Sequence, residues 1–85
     1  MPRISRFFGI SIYMHFDEHL PPHFHALYGG EEAQIEIGSL DVRRGRLHPR
    51  ALALVREWGR LHERELRENW DHVLSHQPPR RIPPL

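Results

Sequence analysis

His23 and His25 stand two residues apart, directly after a proline pair, in the run His19-Leu20-Pro21-Pro22-His23-Phe24-His25. In a strand, residues i and i+2 share a face about 6.6–7 Å apart. Two imidazoles at that spacing can hold one divalent ion, with His19 as a third ligand across the proline turn. The same three residues serve equally well as acid–base groups, phosphate contacts or packing residues, and His-x-His by itself selects none of these. A second constellation, His62, Glu65 and Asn69, is spaced i, i+3, i+7 and falls on one face of a helix. A buried carboxylate must be paired or hydrogen-bonded, so these three should form a satisfied polar network or line a pocket. His23, His25, His62, Glu65 and Asn69 are therefore the candidate catalytic residues, and His19, His23 and His25 the candidate metal ligands. No cofactor is required by the sequence, and a divalent metal fits it.

Whether the two clusters meet depends on which face of the His23 strand turns to the helix. If His23, His25 and Leu27 face it, His62 and Glu65 complete a site. The opposite face, with Phe24, Ala26 and Tyr28, is more apolar and the better core candidate. A third group is electrostatic. All twelve basic residues are arginine, and the acidic stretch Glu31, Glu32, Glu36, Asp41 runs straight into Arg43, Arg44, Arg46 and Arg50. Those four arginines are the candidate nucleic-acid or anion contacts, since guanidinium suits phosphate and carboxylate. At a net charge of +1 any such patch is local. Eight histidines make anion or partner binding expected to depend on pH.

The elements that must position these groups come from periodicity. The sequence reads as one α+β domain over residues 1–85. A small antiparallel sheet of three or four strands (residues 1–47) precedes a long or kinked C-terminal helix (residues 48–76) and an extended Pro-rich tail (residues 77–85). Alternation of Ile10, Ile12, Met14 and Phe16 with polar residues predicts the first strand. A break over residues 17–22 leads to a second strand at 23–28, and a third follows at 32–37. Gly38-Ser39 reads as a two-residue hairpin turn before a short return strand at 40–43. Pro49 suits the first position of a helix. At 100° per residue, Ala51, Val55, Trp58, His62, Glu65, Asn69 and Val73 form one stripe, and the apolar arc around it is wider than one sheet face needs. Either Gly59 kinks the segment or breaks it into two helices that fold back, or part of the arc meets another chain. Leu52, Trp70, Leu74, Ile82 and Leu85 are the candidate partner interface.

The 85 residues, 39% hydrophobic and 27% charged with a mean hydropathy of −0.61, exclude a membrane span and wholesale disorder. The absence of cysteine excludes disulfides, thiolate zinc sites and thiol nucleophiles. No phosphate-binding Gly-rich loop, His-Glu-x-x-His or Gly-x-Ser-x-Gly motif is present. With no secretory pattern in the first residues, a cytoplasmic location is expected.

Four segments carry a resemblance: Ile4-Ser5-Arg6-Phe7-Phe8-Gly9-Ile10, Pro21-Pro22-His23-Phe24-His25-Ala26-Leu27-Tyr28-Gly29, Trp58-x3-His62-x2-Glu65-Leu66-x2-Asn69-Trp70 and Ile82-Pro83-Pro84-Leu85. Together they resemble a family of small bacterial domains of unknown function with a Pro-Pro-His-Phe-His-Ala-x-Tyr-Gly signature. The resemblance implies a small α+β fold and membership of a toxin–antitoxin-like gene pair, with no established reaction. Its motif positions here are His19, Pro21, Pro22, His23, His25, Tyr28, Gly29, Trp58, His62, Glu65, Asn69 and Trp70. The leading expectation is a partner-binding component of such a module. Its partner would be the small protein encoded by the neighbouring gene or a second copy, with nucleic acid as a further ligand. The alternatives are a small ribonuclease-like enzyme with histidine acid–base groups, or a His-rich metal-binding module.

Overall fold

The computed structural model describes residues 2–16 and 19–85. Five strands, β1 (Arg3–Phe7), β2 (Ile10–Tyr13), β3 (His23–Tyr28), β4 (Glu31–Glu36) and β5 (Val42–Gly45), pair in sequence order as one antiparallel sheet. Two helices follow, α1 (Pro49–Leu61) and α2 (Glu63–Leu74). This corrects the expected three or four strands with a single long or kinked helix. The additional strand is β1, whose burial alternates only partly because Ile4 and Ser5 are both buried at an irregular step in the β1–β2 register. That step hides the period-two signal. Of the break expected over residues 17–22, residues 17 and 18 lie outside the described residues.

Turn chemistry sets the pairing. Phe8 and Gly9 between β1 and β2, and Gly29 and Gly30 between β3 and β4, all have positive φ, as two-residue primed turns demand. The turn expected at Gly38-Ser39 is instead a wider loop. Leu40 N–H donates to the Glu36 carbonyl, Glu36 N–H donates to the Asp41 carbonyl, and β5 begins only at Val42. Leu40 is thereby folded inward to 4% exposure.

The core lies between one sheet face and the helices. Ile10, Ile12, Met14, Phe24, Ala26, Ala33 and Ile35 supply the sheet side, and the register aligns Ile12, Ala26 and Ala33 across three strands. Ala51, Val55 and Trp58 from α1 and Leu66, Trp70 and Val73 from α2 supply the helix side. Pro49 opens α1, and the His48 ring accepts the Arg50 N–H as its N-cap. Gly59 is inside α1 and buried. A Cβ there would lie 2.6 Å from Leu40 Cδ2, so its role is close approach of the loop, and the helical segment breaks at His62 (φ −119°, ψ 25°).

Residues 77–85 form an extended strap. Ile82 N–H donates to the Ile4 carbonyl on the open edge of β1, and the Trp58 indole N–H donates to the Pro83 carbonyl. Asn69 clamps the strap from α2: its Nδ2 donates to the Arg80 carbonyl at 2.7 Å and its Oδ1 accepts the Arg80 N–H at 2.8 Å. Asn69→Ala removes both bonds and leaves the Arg80 backbone groups to water. It should cost roughly 1–2 kcal/mol of stability, read as a lower midpoint of urea unfolding with an unchanged slope.

Candidate functional site

Strand β3 is central, and its pleat sends Phe24 and Ala26 to the helices and His25 and Leu27 to the opposite face. That outer face carries the polar chemistry. Register places Tyr13, His25, Gln34 and Arg44 in one row across β2 to β5. His23, at the start of β3, has its ring 5.3 Å from that of His25 and 5.4 Å from that of Trp70 of α2.

A bulge then changes what β5 presents. Ala33 pairs with Gly45 and Gln34 with Arg44, but Ile35 pairs with Val42, so Arg43 is the extra residue. In a regular strand Arg43 and Arg44 would point to opposite faces; a bulge re-aims one of them. Both therefore line one open cleft of about 270 Å³ with His19, Leu20, His23 and Gln34. Arg43 also lies 3.7 Å from Glu36 Oε1, whereas Arg44 forms no ion pair among the described residues. Within the cleft wall, His23 Nδ1 is 2.8 Å from the Pro21 carbonyl. A carbonyl only accepts, so Nδ1 donates, which fixes the orientation of the ring.

Two further histidines are oriented by carboxylates. His25 Nδ1 lies 3.0 Å from Glu32 Oε2, and His15 packs edge-on to His25 with ring centroids 4.1 Å apart. On the helices, His62 Nδ1 donates to Glu65 Oε1 at 2.5 Å. The two sequence clusters do not join: no contact links His62 or Glu65 to His23 or His25 among the described residues, and Asn69 is consumed by the strap. The expected stripe fails at Glu65, whose side chain is 42% exposed, because the break at His62 turns Leu66 and Trp70 inward in its place.

The four candidate arginines separate as well. Arg43 and Arg44 share the cleft, Arg46 pairs with Glu31, and Arg50 is exposed in the first turn of α1. Of the candidate interface, Trp70 and Ile82 are buried in the chain's own core. Leu52 and Leu85 pack against that core, and only Leu74 stays exposed. Residue spacing did not single out His15, Glu32 or Gln34, since nothing local marks residues that become neighbours only through strand register.

A family model described as a domain of unknown function (DUF4160) matches residues 9–71. The chain belongs to this family. No curated protein and no solved structure matches it. The family match spans β2 to most of α2, and so includes the whole outer-face cluster; β1 and the strap lie beyond it.

The close pairing of β5 with β4 needs Gly45. It has φ +72°, and a Cβ there would collide with the Glu32 carbonyl oxygen, which accepts the Arg46 N–H. Gly45→Ala should therefore destabilise the fold by about 2–4 kcal/mol, measurable by thermal unfolding. Gly30→Ala, with nothing within 4 Å of its added Cβ, carries only the strain of its positive φ and should cost less.

Proposed function

We propose that the protein is a nucleic-acid-contacting component of a toxin–antitoxin-like or regulatory two-gene module in the cytoplasm, binding phosphodiester groups in the Arg43–Arg44 cleft. The observation that carries this reading is the β5 bulge, which brings two consecutive arginines onto one face beside His19, His23 and Gln34. Paired guanidinium groups recognise phosphate oxygens in a planar, multidentate way. The cleft has room for a phosphate and part of an adjoining nucleoside, and exposed Leu20 at its wall offers an apolar surface for a sugar or base. The apolar route to a partner is weaker, because Trp70 and Ile82 are spent on the chain's own core.

A specific observation also favours ribonuclease-like chemistry at the same place. His19 and His23 line the cleft with the arginines. An imidazole in that lining, His19 above all, is placed to exchange a proton with a ribose hydroxyl while arginine steadies the phosphate. His62 and Glu65 take no part in this reading. Among the described residues no helix is long and apolar enough to cross a membrane.

The test is fluorescence anisotropy with a short labelled single-stranded RNA across a range of salt concentrations. Arg43→Ala and Arg44→Ala should each weaken binding several-fold and reduce the slope of log K against log salt by about 0.7. Arg64→Ala on α2, remote from the cleft, should leave both unchanged. Equal affinity for the wild type and an Arg43→Ala/Arg44→Ala double variant overturns the proposal. Gel analysis of the same RNA, with His19→Ala as the comparison, decides the cleavage reading.

A further inference from the structure

A second group of donors on the outer face has no part in phosphate binding. His15 just after β2, His25 in β3 and Glu32 in β4 each bring one side-chain ligand atom within 4.8 Å of the other two. From these three residues we infer a binding site for a single first-row divalent cation of the Zn²⁺ class. The site differs from the trio His19, His23 and His25 that residue spacing suggests, because His19 and His23 belong to the arginine cleft.

The distances suit one ion. Donors about 2.1 Å from a cation and about 90–110° apart lie about 3.0–3.4 Å from each other, and His25 Nδ1 and Glu32 Oε2 already stand 3.0 Å apart. His15 is half-buried and the Glu32 side chain is 53% exposed, and the His15 donor has to close from within 4.8 Å to that range. His25, with its side chain 7% exposed, is held between neighbouring strands by its pairing with Tyr13 and Gln34. The site thus has one ligand fixed by strand pairing, His25, and one on a half-exposed side chain, Glu32.

Donor chemistry narrows the cation. Two imidazole nitrogens and one carboxylate oxygen, without thiolate, suit zinc and its borderline neighbours better than the hard ions calcium and magnesium, which prefer oxygen alone. Glu32 makes no ion pair with arginine among the described residues, so its charge faces the imidazoles. Three protein ligands leave at least one position open to water or a ligand. A shallow groove of about 180 Å³ bounded by Glu32, Gln34, Arg44 and Gly45 shares Glu32 with the site. None of the three ligands lines the arginine cleft, so the site stands whether or not the cleft binds nucleic acid.

The experiment is isothermal titration of the chelator-stripped full chain with Zn²⁺, accompanied by the visible ligand-field spectrum of the Co²⁺ form. One ion per chain is expected. Glu32→Gln and His15→Gln should each weaken the Zn²⁺ affinity at least tenfold and alter the Co²⁺ spectrum, with thermal unfolding of the metal-free variants confirming the fold. His62→Gln and Arg44→Ala should bind as the wild type does. The same affinity in Glu32→Gln and His15→Gln as in the wild type, or no stoichiometric binding by the wild type, overturns the assignment. If His15→Gln does not fold, Glu32→Gln, altered on a half-exposed side chain, still decides it.

Discussion

Trp58 stands where four parts of the chain meet. Its ring lies 5.4 Å from that of Phe7 in β1 and 5.7 Å from that of Phe24 in β3, and its N–H donates to the Pro83 carbonyl of the strap. An indole buries more apolar area than any aliphatic side chain, but its N–H must find an acceptor when it leaves water. Here the strap supplies that acceptor. One side chain therefore ties the first strand, the central strand, the first helix and the C-terminal segment into one packing unit. Because Phe24 must meet Trp58, the pleat of β3 is set, and with it the outward placement of His25.

The outer face then assembles chiefly from strand pairing, with Trp70 of α2 packing against His23 at its edge. Register puts Tyr13, His25, Gln34 and Arg44 in a row, and a single inserted residue in β5 adds Arg43 to the cleft that Arg44 already lines. Charge and metal-type donors consequently occupy neighbouring parts of one surface, the arginines towards β5 and the His15–His25–Glu32 group towards β2. The helices contribute core, and their own polar triad is divided between a hydrogen bond, His62 with Glu65, and a backbone clamp, Asn69 with Arg80. A face built this way is stiff, since strands hold it, while its outermost side chains stay adjustable.

Much of the architecture was legible in the residues, and the failures have local causes. The strand at 23–28, the first helical position at Pro49 and the superior packing value of Phe24 and Ala26 follow from period-two alternation, fixed proline φ and apolar area. The strand at residues 3–7 escaped because a register irregularity breaks its alternation. The helical stripe holds at Ala51, Val55, Trp58, Asn69 and Val73, which are all buried, and departs at Glu65, just after the non-helical residue His62. Glu65 then turns outward while Leu66 turns in.

The amino-acid sequence by itself determined the class of the fold, the separation into a strand half and a helical half, and the inventory of imidazole, carboxylate and guanidinium groups. Those properties depend on local dihedral preference and side-chain chemistry, which each short segment carries with it. Tertiary structure alone decided which of these groups are neighbours. His15, His25 and Glu32 converge, and Arg43 joins Arg44, through strand pairing and a bulge defined only between strands. His62 and Glu65 are kept from His23 and His25 because apolar burial of Phe24 against Trp58 outweighs any gain from uniting the polar clusters.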